Sequence, residues 1–323
     1  MNRFEFARAT SIAEALDLAS DKPGSVLKAG GIDLLDHLKE HLREPPRIVD
    51  LKAIPGLNAI REEGDGSFRI GPLATLAQVA AHPGLRASHA ALAQACGEAA
   101  SPQIRNVATV GGNLLQRPRC WYYRLESYRC LKKGGDICFA VGGQNRYHAI
   151  FADGPCNAPH PSNAAVALVA FGASLTFASK QGARTVPAER FFALPGPDPQ
   201  RENTLAAGEV LSQITLPAAP GLQSTYASIC ERAAFDWPLV SAAVALRIEG
   251  GLVREARIVL GAVATRPWRA QAAEQMLVGR RLDDATGEAA AQAALAGAQP
   301  LSENGYKVEQ AKVLLRRTLA ASA

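Results

Sequence analysis

Apolar positions recur at helical spacing soon after the N-terminus. Ile12, Ala15, Leu16 and Ala19 fall on one face of a helix predicted over Ser11 to Ser20, with Ser11 as N-cap and Glu14 three residues on. Phe4 to Phe6 reads as a short strand before it and Ser25 to Ala29 as a strand after it. Gly30-Gly31 ends that strand, and Leu34, Leu35, Leu38 and Leu42 give helical spacing over Ile32 to Arg43. Pro45-Pro46 closes the helix, and Arg47 to Leu51 is the next strand. Ile54 to Asp65 is turn-rich and reads as a subdomain seam. Beyond it come a strand at Phe68 to Ile70 and helices over Thr75 to Ala81 and His89 to Ala100.

After a long irregular stretch, Ala164 to Ala170 reads as a helix and Ala173 to Ala178 as a strand. Gly182 to Pro199 is rich in Pro and Gly and predicts a domain boundary. Strand character returns over Val210–Leu216, Ser224–Cys230, Val240–Ile248 and Val253–Val263, with Glu249-Gly250-Gly251 as a hairpin turn. Helices are predicted over Trp268–Val278, Ala285–Ala298 and a basic amphipathic tail, Gly305 to Ala320. The C-terminal part therefore predicts a meander sheet with helices on one face, and the chain as a whole is α+β.

The 323 residues suffice for two or three domains. Apolar residues make up 48% and charged residues 20%, as in a soluble globular protein. No run of eighteen apolar residues predicts a membrane span. The first residues lack the charged-then-apolar build of a signal peptide, so the expected location is the cytoplasm, or the periplasm by co-export with a partner that carries the signal. The net charge is +5, and residues 116–160 hold seven Lys and Arg (Arg117, Arg119, Arg124, Arg129, Lys132, Lys133, Arg146) against Glu126, Asp136 and Asp153. With Trp121, Tyr122, Tyr123 and Tyr128 interleaved, a nucleic-acid surface is one reading of that stretch.

Two patterns carry chemistry. Strand, Gly30-Gly31, helix sets a helix N-terminus where a phosphate can bind, although a double glycine is also an ordinary turn. Thr109-Val110-Gly111-Gly112-Asn113 is a small-residue turn whose amides can form a second anion cradle. Directly after it come four of the six cysteines, Cys120, Cys130, Cys138 and Cys156, with nine, seven and seventeen residues between them. No C-x₂-C pair of the zinc type occurs. Four thiolates on one basic loop fit a [4Fe–4S] cluster, against the plainer reading of unconnected buried thiols. Cys96, among alanines, and Cys230, in a strand, read as core residues. His148 and His160 read as solvated or hydrogen-bonded loop residues, and Ser162 or Asn163 as a helix cap. No Ser/His/Asp or Cys/His catalytic set, Walker lysine loop or GxGxxG is present.

Lys28-Ala29-Gly30-Gly31-Ile32-Asp33-Leu34-Leu35, followed by Gln103-Ile104-Arg105-Asn106-Val107-Ala108-Thr109-Val110-Gly111-Gly112-Asn113, resembles the FAD-binding medium subunit of the xanthine dehydrogenase and molybdenum hydroxylase family. The four-cysteine insertion and Arg266-Pro267-Trp268-Arg269 are similar to the FAD and [4Fe–4S] subunit of bacterial heterotrimeric periplasmic aldehyde oxidoreductases. The resemblance covers nearly the whole chain. It implies a vanillyl-alcohol-oxidase (PCMH)-type FAD-binding fold of two α+β subdomains, residues 1–53 and 54–180, the second carrying the cluster loop 116–160. A C-terminal α+β domain, 181–323, would follow, with the antiparallel sheet and helices of CO dehydrogenase flavoproteins. The flavin contacts it implies are Lys28, Ala29, Gly30, Gly31, Ile32, Asp33, Leu34, Leu35, Ser101, Thr109, Gly111, Gly112, Asn113, Gln116, Ser162, Asn163 and Leu205. The cluster ligands would be Cys120, Cys130, Cys138 and Cys156. Asn163 stands where relatives usually have Asp, Ser228 where some have Lys, and Ile32 where a small polar residue is common. The implied role is an electron-transfer flavoprotein subunit, partnered by a molybdenum-cofactor large subunit and a [2Fe–2S] small subunit. A zinc-stapled nucleic-acid- or protein-binding module and a stand-alone FAD oxidase are the alternatives.

Overall fold

The computed structural model describes residues 1–151, 154–192, 196, 198–233 and 235–322. Asp153 of the charge count and part of the Pro- and Gly-rich stretch, 193–195 and 197, lie outside the described residues.

The first subdomain is a parallel three-stranded sheet, β1 (Glu5–Arg8), β3 (Arg47–Asp50) and β2 (Val26–Lys28) in spatial order, with helices α1 (Ile12–Asp21) and α2 (Ile32–Lys39) in the connections. Ser11 caps α1 by accepting the Glu14 amide at 3.1 Å. Glu14 reaches back to the Thr10 amide at 2.7 Å, one residue before the position the capping-box pattern predicts. Because β3 is the central strand, all four of its residues are buried.

The second subdomain contributes β4 (Ile60–Glu62) and β5 (Phe68–Ile70), then a run of short helices: α3 (Leu76–Ala81), α4 (Pro83–Ser88), α5 (Ala90–Glu98), α6 (Pro102–Arg105), α7 (Val110–Leu114) and α8 (Trp121–Arg124). After the cysteine loop come α9 (Asn163–Ala170), β6 (Ser174–Ser179), β7 (Gly182–Pro187), α10 (Ala188–Phe191) and β8 (Val210–Leu216). Their sheet runs β4-β5-β8-β6-β7. Two expectations change here. The turn-rich seam contains strand β4, paired with β5. The boundary expected at 181 falls inside the β6–β7 hairpin, where Ser179 pairs with Gly182. The sheet continues past it to Leu216, because β8 inserts between β5 and β6.

The C-terminal part is the predicted meander, β9 (Gln223–Cys230), β10 (Pro238–Glu249), β11 (Leu252–Gly261) and β12 (Trp268–Arg269), followed by α11 (Gln271–Leu277), α12 (Asp284–Leu295) and α13 (Tyr306–Ala320). Trp268 and Arg269, expected in a helix, form β12 instead: Trp268 pairs with Leu260 and stacks on Phe151 at 4.1 Å. The sheet is covered on both faces rather than one. Ala242, Val244 and Leu246 of β10 point into the core made with α11 to α13, while Ala243 and Ala245 point into the core made with α5 and α9. Leu239 to Leu246 are consequently buried without alternation. The tail helix α13 packs in that core through Leu314, Leu315 and Leu319. Among the described residues no helix is long and apolar enough to cross a membrane.

Candidate functional site at the junction of the subdomains

Gly31 starts α2 in the left-handed region, φ 88° and ψ −2°, a conformation that favours glycine. No side chain caps this helix, so its first amides, at the positive end of its dipole, have no side-chain acceptor. Gly30 packs beneath the second subdomain: a Cβ there would overlap the Val107 carbonyl oxygen. The first glycine turn therefore abuts the segment that leads into the second.

The second turn is a short helix, α7, not an open cradle. Thr109 caps it by accepting the Gly112 amide at 3.1 Å. The Val110 amide donates to the Ala74 carbonyl at 2.8 Å and the Gly111 amide to the Pro72 carbonyl at 2.9 Å. The amides expected to meet a phosphate are thus largely spent on the protein's own acceptors. What α7 presents is bare surface. A Cβ on Gly111 would come within 2.8 Å of Pro72, whereas one on Gly112 would meet only Thr109 Oγ1, at 3.1 Å. Gly111 serves packing and Gly112 leaves room. Exposed apolar side chains border the same junction, Ile32 and Leu35 on α2 and Ile104 and Val107 between α6 and α7.

The structure sorts the other expected contacts. Ser162 caps α9 and donates its hydroxyl to Asn113 Oδ1 at 2.6 Å, joining the end of α7 to the start of α9. Ser162 and Asn163 line a cavity of about 470 Å³, together with Trp121, His148, His160 and Trp237. Ala29 and Leu34 are half-buried beside the first turn. Several others are engaged elsewhere. Lys28 Nζ pairs with Asp50 at 3.2 Å. Ser101 caps α6 through the Ile104 amide. Gln116 is buried and donates to the Asn113 carbonyl at 3.0 Å. Leu205 packs against the core of the second subdomain. Asp33 does not face open solvent with a free carboxylate: Arg119 and Arg124 each reach its Oδ1 at 2.8 Å, and the Arg117 amide donates to its Oδ2 at 2.9 Å. Burial opposes its charge, but the two guanidinium groups hold its pKa below the usual carboxylate range.

Cys120, Cys130, Cys138 and Cys156 line one small cavity with Tyr122, Tyr123, Leu131, Lys132 and Phe139. Cys96 is buried in the core of the second subdomain, while Cys230, expected in the core, is only half-buried at the end of β9. Among the described residues no group of three or more His, Cys, Asp or Glu side chains is arranged to hold a metal ion. A cube of iron and sulfide is wider than one ion, so its thiolates stand further apart around a shared space. Burial pushes the Cys120 thiol up to about 12, and a bound metal would have to displace that proton. Cys120 lies in the wall between the two cavities, with His148 Nε2 at 3.2 Å from its sulfur. His148 and His160 are buried, not solvated, and burial pushes both down to about 4.

The basic character of the loop is internal. Arg117 forks onto Glu202, Lys132 pairs with Glu202 at 3.0 Å while only 4% exposed, and Arg124 spans Asp33 and Asp36. The aromatics pack on one another and under these cations: Tyr122 against Tyr128 at 5.0 Å, and Tyr123 beneath Arg117 at 4.8 Å. Carboxylates from outside the loop neutralise most of the excess, which removes the support for the alternative reading of a nucleic-acid surface. The same pairing means that Arg117, Arg124 and Lys132 do not stand free to offset a cluster's negative charge. Sequence reasoning missed Lys307. It is fully buried in α13, and its ammonium donates to the carbonyls of His148 at 2.8 Å and Ala262 at 2.7 Å, both on the wall of the larger cavity. A single basic residue in an amphipathic pattern gives no signal that it points inward.

Residues 2–219 match the family of FAD-binding domains in molybdopterin dehydrogenases, and residues 225–322 match the CO dehydrogenase flavoprotein C-terminal domain. The aldehyde oxidoreductase FAD-binding subunit PaoB of Escherichia coli is 35% identical over 99% of this chain and 97% of its own length. The carbon monoxide dehydrogenase medium chain of Hydrogenophaga pseudoflava is 29% identical over the same shares of the two chains. A solved structure of reconstituted CO dehydrogenase from Oligotropha carboxidovorans superposes with a TM-score of 0.79 at 26% identity, covering 100% of this chain and 99% of the other.

Proposed function

The chain belongs to the family of FAD-binding medium subunits of molybdenum hydroxylases, and from that premise we propose that it is the electron-transfer subunit of an aldehyde oxidoreductase-type complex. It is an oxidoreductase subunit by family. In this reading a molybdenum-cofactor large subunit and a [2Fe–2S] small subunit deliver electrons, and this chain relays them to an acceptor. FAD, when bound, supplies the redox chemistry, and the protein supplies its place and its surroundings. The observation that carries the reading is the junction at Gly30 and Val107, which sets the uncapped start of α2 beside the bare surface at Gly112. The α2 amides would hold the diphosphate there. Ile32, Leu35, Ile104 and Val107 would cover apolar parts of the cofactor, and the cavity at Ser162 and Asn163 is of the size that encloses a flat ring system. Four cysteines on one small, aromatic-lined cavity support a [4Fe–4S] cluster as a second cofactor.

In this reading the aldehyde is oxidised at the partner's molybdenum centre and not on this chain. The experiment is aldehyde-dependent dye reduction by the purified chain, alone and with its two partner subunits. The chain alone should carry flavin yet show no turnover, and turnover should appear with the complex. Sustained oxidation by the isolated chain without molybdenum would overturn the relay reading.

A further inference from the structure

The helix that begins at the first glycine turn is held from one side by the segment that follows the second. Arg124 sends one guanidinium nitrogen to Asp33 Oδ1 at 2.8 Å and the other to Asp36 Oδ2 at 2.6 Å. The Tyr123 hydroxyl lies 3.0 Å from His37 Nε2, one residue further along the same helix. Both residues belong to α8, whose Tyr123 and Arg124 amides donate back to the Cys120 carbonyl. Arg119, on the other side of Cys120, also reaches Asp33 and stacks over Trp237 at 4.4 Å. The Arg124–Asp33 pair is largely desolvated, at 13% and 18% exposed, so it is screened far less than a surface pair, while Asp36 at 43% exposed is the wetter anchor. None of them involves the first amides of α2, so the helix is fixed without a side-chain acceptor on those amides.

We propose that residues 117–124 form a positioning strap for the flavin: through Asp33 and Asp36 they fix the attitude of α2, and with it the amides that meet the diphosphate. Asp33 is on this account a strap anchor and not a flavin ligand. The inference rests on the flavin reading above and adds that the cysteine loop and flavin retention are coupled, since α8 is tied to Cys120 at one end and to α2 at the other. An eight-residue helix without a side-chain cap has little of its own to hold its first turn in register. A bidentate arginine supplies that geometric constraint.

The test uses the full chain purified with FAD, with flavin affinity read by ultrafiltration and fluorescence. Arg124→Met and Asp33→Asn should each weaken flavin binding about ten-fold, and the double variant by clearly less than the product of the two. Arg124→Lys should fall between, because an ammonium cannot span both carboxylates. Tyr123→Phe keeps the packed ring and loses only the hydroxyl, so it probes the strap without threatening the fold and should weaken binding a few-fold. Glu126→Ala, exposed on the same loop, should bind as wild type. Additive losses in the double variant would make Asp33 a direct ligand and overturn the strap, as would wild-type affinity in Arg124→Met and Tyr123→Phe. A wild-type chain that holds no flavin would instead sink the flavin reading itself.

Discussion

Gly30 lies so close to Val107 that a Cβ placed on it would overlap the Val107 carbonyl oxygen and stand 3.2 Å from the Ala108 Cα. This contact is the hinge point of the site, because it presses the first glycine turn against the residues that lead into the second. Gly30→Ala should therefore cost the fold roughly 1–3 kcal/mol by overpacking. Gly112→Ala should cost little, since its Cβ meets only the Thr109 hydroxyl, yet it should lower flavin content by standing where the ligand approaches. Urea unfolding paired with flavin counting separates the two. Equal stability losses at both positions would show that Gly112 is a packing glycine as well.

Much of this arrangement is legible in the sequence. Local rules found Ser11 and Ser162 as residues at helix starts and placed most strands within two residues, because capping and periodicity act over a few positions, whereas the helix that Thr109 caps reads as an open turn. The motif Thr109 to Asn113 was visible, but its use of amides was not. That depends on Pro72 and Ala74, almost forty residues away, whose carbonyls take the Val110 and Gly111 donors. The charge of the cysteine loop misled for the same reason. A count along the chain cannot show that Arg117 and Lys132 meet Glu202, or that Arg124 meets Asp33 and Asp36. The two-sided burial of β10 was hidden because an uninterrupted apolar run has no period from which to read its two neighbours.

The four loop cysteines should behave as one unit. Cys→Ser at Cys120, Cys130, Cys138 or Cys156 should each cut the iron content sharply from about four per chain, and Cys96→Ser and Cys230→Ser should leave it unchanged. Cys96 is walled into the second subdomain's core and Cys230 lies at the end of β9, away from the shared cavity. Iron and zinc analysis of each purified variant is the measurement. About one zinc and no iron in the wild type would refute the cluster.

His160 should make the fold sensitive to acid. Burial holds its pKa near 4 against an ordinary 6.5, so it is neutral in the folded protein. Between those values the unfolded chain binds the extra proton, and stability is lost as pH falls from 6.5 to 4. The full effect is on the order of 3 kcal/mol. Glu202 and Lys132 act on the ring with opposite signs. His160→Gln should lessen the dependence of unfolding free energy on pH across this window, leaving the share of His148, which burial also holds near 4, and the slope above pH 7 as they were. A variant that keeps the wild-type acid slope would assign the loss to other groups.

Lys307 gives the opposite limb of the pH profile. Its ammonium is sealed in α13 with only carbonyls for partners, those of His148, Ala262 and, at 3.5 Å, Tyr147. Burial without a carboxylate lowers its pKa to about 7 from 10.5. Between these values the unfolded chain holds more protons than the folded one, so wild-type stability rises with pH from 7 towards 10.5. Lys307→Met removes both the titration and the donors. The variant should lose about 2 kcal/mol, because the carbonyls it strands are buried, and that loss offsets the gain from removing a desolvated charge. The distinguishing feature is the trend: the stability gap between wild type and Lys307→Met should widen from pH 7 to pH 9. Ala262 adds a local reason for the donors, since it holds a positive φ of 60° on the cavity wall, a conformation unfavourable for alanine that its bond to Lys307 helps retain. Parallel urea titrations at pH 7, 8 and 9 make the comparison. A gap that stays constant or narrows would mean that Lys307 keeps its proton throughout this range.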